Sequence, residues 1–169
     1  MSGMARTTSL SPYLADTRRL ADVIAAIQVM GTYKFYWQDF AGWAERISGN
    51  ARMADYWRNI FEDHPEFFRL DGDRQGAALV WRRQYPKRFH VDEERRLSAA
   101  ECLALTEGQM ERVSREPLSA NDIRALIDTA VGLHSRALDQ QKERRWWLPL
   151  VTGVAALLGA VLGAWLKGR

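Results

Sequence analysis

From Trp146 to Leu166 the chain runs WWLPLVTGVAALLGAVLGAWL, 21 residues without a charged side chain. As a helix it would rise roughly 31 Å, against a bilayer hydrocarbon core of about 30 Å. Trp146 and Trp147 stand at one end and Trp165 at the other, where amphipathic rings favour the headgroup level. Lys142, Arg144 and Arg145 precede the run, and Lys167 and Arg169 follow it. A buried core helix needs neither aromatic ends nor basic flanks. The segment is therefore expected to be a single transmembrane span, 146–166.

That assignment changes how the rest is counted. The net charge of +3 is misleading, because the KERR flank and the two terminal cations supply +4. Residues 1–141 carry −1, so the remainder is not broadly basic. One cysteine, Cys102, cannot form an intrachain disulfide, and its neighbours Leu103 and Leu105 suggest a structural role. The start, MSGMARTTSL, has no apolar core of a signal peptide, and Ser2 stands where myristoylation needs glycine. More basic residues precede the span than follow it. The expectation is a single-pass, tail-anchored membrane protein with the bulk of the chain cytoplasmic, at a bacterial inner membrane.

The pattern before the span is mostly helical. Residues 1–11 are small and polar and are expected to be disordered. Ser11-Pro12 is a helix-start signal, and Leu20, Val23, Ile24 and Ile27 share one face of a first helix ending near Met30 and Gly31. After the connector YKFYW (33–37), Asp39 can cap a second helix with Phe40, Trp43, Ala44 and Ile47 inward. Gly49-Asn50 is a turn pair. A third helix turns Met53, Tyr56, Trp57, Ile60 and Phe61 inward and stops before His64-Pro65. FFRL (67–70), the turn DGDRQG (71–76) and AALVWRRQY (77–85) read as a β-hairpin closed by Pro86.

Helix, helix, turn, helix and hairpin is an order that resembles a winged helix-turn-helix domain, here over 12–91. The resemblance covers about half of the chain. It rests on that order and on DFAGWAERISGNARMADYWRNIF. Beyond it, 92–141 reads as a helical extension. Ser98 with Glu101 forms a capping box for a helix over 99–113, weakened at Gly108, and SREPL (114–118) is a break. Ser119 with Asp122 can start a last helix carrying Ile123, Leu126, Ile127, Ala130, Leu133 and Ala137 on one stripe. With 142–169 as basic flank and span, it would run to 166 as a rod of roughly 70 Å. The expected fold class is mainly α: a winged-helix-like domain, an additional helix, and a long C-terminal helix continuing into the membrane.

Two features point to contacts. In the span, Ala155, Gly159 and Gly163 recur every four residues, beside a second small row that includes Ala156 and Ala160. Small residues let backbones approach where lipid supplies no hydrophobic drive, so self-association is expected there. The stripe at 123–137 could extend that contact or pack on the cytosolic domain. In the hairpin region, Arg74, Arg82, Arg83, Lys87 and Arg88 occur without an acidic residue, interleaved with Trp81, Tyr85 and Phe89. The resemblance implies a nucleic-acid surface there; lipid headgroups, or pairing with Asp92, Glu93 and Glu94, are the other readings. The third helix is a poor base reader. Its outward Arg52 and Arg58 are offset by Asp55 and Glu62, with Asp63 next. Nucleic acid is therefore a partner not favoured.

Other chemistry has little support. The dense aromatics Tyr33, Phe35, Tyr36, Trp37, Phe40 and Trp43 read as core. His64, His90 and His134 are far apart in sequence, and no metal-ligand spacing, phosphate loop or nucleophile elbow occurs. No catalytic residue, metal or cofactor is assigned. The expected function is a non-enzymatic, membrane-anchored interaction or assembly module, homo-oligomeric, with an unnamed protein partner. Two alternatives are an oligomeric membrane-perturbing effector, as in bacterial defence or toxicity, and a regulator similar to membrane-anchored winged-helix activators.

Overall fold

The computed structural model describes residues 11–143. Ser11-Pro12 opens only a 3-10 turn, Pro12–Leu14, and the first α-helix, α1 (Arg19–Thr32), begins after it. Its expected face is inward: Val23, Ala26, Ile27 and Met30 are fully buried. Gly31 does not end the helix. It is a contact point, since a Cβ there would come within 3.0 Å of Ile123.

The aromatic connector contains a short strand, β1 (Trp37–Asp39). Asp39 then caps α2 (Phe40–Ser48) as expected, its Oδ1 accepting from the Gly42 N–H at 2.6 Å. Gly49 closes α2 at φ +69°, a left-handed position that costs glycine nothing. A 3-10 turn leads into α3 (Ala54–Asp63), which buries Trp57, Ile60 and Phe61 and stops before His64-Pro65.

The hairpin forms from β2 (Phe68–Leu70) and β3 (Gly76–Leu79). Antiparallel β1 and β2 flank β3, which is the centre of this first sheet. The second hairpin strand is shorter than expected. After Leu79 the chain coils into a 3-10 turn, Val80–Gln84, which carries Arg82 into the interior instead of continuing the alternation to Tyr85.

A second sheet follows, of order β5-β4-β6: β4 (Lys87–His90), β5 (Arg95–Arg96) and β6 (Val113–Arg115). The helix expected over 99–113 is two short helices, α4 (Ala99–Ala104) and α5 (Glu107–Met110). Ser98–Glu101 is a capping box, as read, but Thr106–Gln109 is a second one that starts a fresh helix. Leu103 is 88% exposed, so no apolar stripe binds the two into one rod. The segment read as a break pairs instead with β4, burying Val113 and Ser114.

The Ser119 hydroxyl accepts from the Asp122 N–H and opens α6 (Ala120–Glu143). Leu126, Ala130 and Ala137 are buried, and Ile123, Ile127 and Leu133 pack beside them, with α1 as the main partner. Of the two readings of this stripe, packing on the domain is the one realised. The core joins α1, α2, α3, the first sheet and α6 around Trp43, Trp57, Phe61 and Phe68, each burial contributing about 1.5–3 kcal/mol. The protein is mainly helical with small antiparallel sheets. Among the described residues no helix is long and apolar enough to cross a membrane. The expected span 146–166, with Ala155, Ala156, Gly159, Ala160 and Gly163, lies outside them, as does the expected run of the last helix to 166.

Candidate functional site

Period-two alternation gives the first sheet two different faces. Ala77 and Leu79 on β3, with Phe68 on β2, point into the core. The residues between them therefore point the other way. In register, Ala78 lies opposite Trp37 on β1 and opposite Arg69 on β2. This outer face has a small residue in the middle, an indole on one side and a guanidinium on the other.

The indole's place depends on Gly76. A Cβ there would lie 2.6 Å from Trp37 Cζ2 and 2.4 Å from the Gln38 carbonyl oxygen, so only glycine permits this ring against this backbone. Trp37 nevertheless stays 40% exposed. The face is walled from the second sheet. The Tyr36 N–H donates to the Ser114 hydroxyl at 3.0 Å, bringing the segment before β1 onto β6. Next to Ser114, Arg115 sets its guanidinium carbon 5.0 Å from the centre of the Tyr36 ring and donates to the carbonyls of Arg83 and Tyr85. Its Nε is buried without a hydrogen-bond partner among the described residues.

The result is an open cavity of about 340 Å³ with Ala78 on its floor and Tyr36, Trp37, Arg69, Arg83 and Arg115 around it. Asp71 is the one carboxylate in the wall, and its Oδ1 accepts from the N–H groups of Gln75 and Gly76 in the hairpin turn. Neither Arg69 nor Arg83 has a side-chain hydrogen bond or ion pair among the described residues. Three positive charges thus face a concave, partly aromatic surface.

The five basic residues of the hairpin region have separate fates. Arg82 is fully buried and cannot contact nucleic acid or lipid. Its guanidinium donates to the carbonyls of Met30 at 3.0 Å, Tyr33 at 2.5 Å, Arg115 at 2.5 Å and Glu116 at 3.2 Å, with longer contacts to Lys34 and Phe35. Burial pushes it down to about 10, still charged at neutral pH, at the C-terminal end of α1 where a cation is favoured. Arg74 pairs with Glu62 at 2.8 Å. Lys87 and Arg88 are exposed on β4, and Arg83 alone of the five reaches the cavity. The nearby acids have other partners: Asp92 takes Arg112 and Lys34, and Glu93 takes Arg95.

The charges around α3 are largely consumed locally. Glu62 accepts from both Arg58 and Arg74, which holds its carboxyl below the usual range, and Asp63 takes Arg19 at 2.9 Å. Elsewhere, folding brings together histidines distant in sequence. The Tyr13 ring lies 4.5 Å from His64 and 6.0 Å from His134, centre to centre. Glu66 accepts from the Tyr13 hydroxyl and meets His64 Nδ1, each at 3.0 Å. Burial, then the Glu66 charge, raises the Tyr13 hydroxyl far above its ordinary value. This group fastens the N-terminal turn to the α3–β2 corner. Among the described residues no group of three or more His, Cys, Asp or Glu could hold a metal ion.

Sequence reasoning missed Arg69, Arg115, Tyr36 and Trp37. Arg69 was visible as the outward residue between Phe68 and Leu70. Arg115 lay in a segment read as a break, and the two aromatics read as core. No protein-family model, curated protein or solved structure matches the chain.

Proposed function

We propose that residues 12–91 form a winged-helix-like module that binds protein, carried by a chain anchored through 146–166 and self-associated through that span. The order α1-β1-α2-α3-β2-β3, with β1 hydrogen-bonded to β3, supports the winged reading. The left-handed Gly49 at the α2–α3 corner supports it too. The observation that carries protein contact over duplex DNA is the pairing at α3. Arg58 and Arg74 share Glu62, so the face that would enter a groove offers little uncompensated positive charge. The removal of Arg82 from the surface weakens a DNA-binding wing further.

The test is the native mass of the full chain in mild detergent, with duplex DNA binding measured at several salt concentrations. Expected are an oligomer that Gly159→Leu reduces to smaller species and no salt-steep DNA binding. Salt-steep binding lost in Arg83→Ala would replace the interaction module with a DNA-binding regulator. A monomeric wild type would remove self-association.

A further inference from the structure

The cavity on the outer face of the first sheet joins basic, aromatic and small residues in one concavity. It has three guanidiniums, two aromatic rings and a small floor residue. We infer that it binds a mononucleotide, with the phosphate on the arginines and the base against Trp37. The site does not depend on the protein-interaction reading above, while the choice of a soluble ligand over a lipid rests on the span proposed at 146–166.

The guanidinium is a planar fork that suits phosphate oxygens, and Arg69 and Arg83 keep their donors unspent. Arg115 is held by two carbonyls and by the Tyr36 ring, so it presents charge from a fixed place. Trp37 is exposed where it borders the cavity and is pinned by Gly76, so its indole offers a ring face at little entropic cost. A volume of about 340 Å³ lies at the small end of ligand sites and fits one nucleotide better than a duplex groove.

The same chemistry could read the phosphate of a lipid headgroup, but the site's position favours a soluble ligand. Tyr85, whose carbonyl holds Arg115, donates from its hydroxyl to Asp122 in the first turn of α6 at 3.3 Å. The apolar run follows the other end of that helix, roughly 30 Å further along. The cavity thus lies by the end of α6 remote from the expected bilayer.

Calorimetric titration of the full chain in mild detergent tests this, with AMP, adenosine, ribose 5-phosphate and a short-chain phosphatidylglycerol as probes. AMP binds saturably. Adenosine, which lacks the phosphate, and ribose 5-phosphate, which lacks the base, each bind at least tenfold more weakly, a loss of about 1.4 kcal/mol. The Arg69→Ser/Arg83→Ser double variant, which removes no side-chain hydrogen bond or ion pair among the described residues, keeps its melting temperature and loses AMP affinity by a similar factor. Three results overturn the assignment. One is no saturable AMP binding up to ~10 mM, a free energy near −3 kcal/mol. Another is AMP binding unchanged in the double variant. The last is binding of the lipid without AMP, which makes the cavity a headgroup site.

Discussion

Replacing Arg82 with methionine should be the most damaging single substitution in the second half of the domain. The guanidinium has five N–H donors, and it spreads them over six carbonyl oxygens from two stretches, Met30–Phe35 and Arg115–Glu116. One stretch ends α1 and the other ends β6, so this side chain ties the helical core to the second sheet. A charged hydrogen bond contributes about 1.5–3 kcal/mol, but the gross sum overstates the net, because burying the cation is itself costly. The relevant loss is that of carbonyls left inside without donors. With some of them rescued by water, about 3–5 kcal/mol is expected for Arg82→Met. In a domain of this size each kcal/mol moves Tm by about 3 °C, so Tm should fall by about 9–15 °C. Arg82→Lys should lose roughly half as much, since an ammonium has three donors and cannot bridge both stretches. Thermal unfolding of the full chain in mild detergent, followed by near-ultraviolet circular dichroism, measures this. Arg83→Met is the control and should stay within about 0.5 kcal/mol. A drop under about 3 °C for Arg82→Met, or equal drops for Arg82 and Arg83, would refute the clasp.

Two further outcomes follow from local geometry. Gly76→Ala should cost about 1–3 kcal/mol and lower amide protection in β1, because its Cβ would strike the Gln38 carbonyl oxygen, which belongs to the backbone and cannot swing aside. Intact protection of the Gln38 amide would contradict it. Strong acid should loosen the start of α4. The Ser98 N–H, then Arg95, hold the Glu101 carboxyl down to about 2. A carboxylate depressed on folding stabilises above its unfolded value near 4.5 and loses that contribution as pH falls toward 2. The Ser98 amide should therefore exchange faster with acid across that window, after correction for intrinsic exchange, and Glu101→Gln should remove most of the pH response.

Much of the helical half could be read from the chain because its signals are local. Asp39 three residues before Gly42, Gly49 after a closing stripe, and Pro65 after α3 each set a boundary through a backbone rule that needs no distant partner. Ser98–Glu101 and Ser119–Asp122 did the same. The apolar stripe of α6 was legible as a stripe, but its neighbour was not. Periodicity states that a face is buried and leaves open what buries it, and here α1 does. The long apolar run at 146–166 constrains the chain by length and polarity alone.

The arginines show where reading along the chain stops. Arg74, Arg82, Arg83, Lys87 and Arg88 look alike as a basic run. Folding sends Arg82 inside, pairs Arg74 with Glu62, and leaves Arg83 on a cavity wall with Arg69 and Arg115. The burial of Arg82 rests on contacts across roughly thirty to fifty residues, which nothing local in the chain announces. Charge type is a property of the residue and travels with the sequence. Whether a charge meets water, a carbonyl or a ligand is set by the surfaces that packing brings around it, and only the tertiary structure decided that.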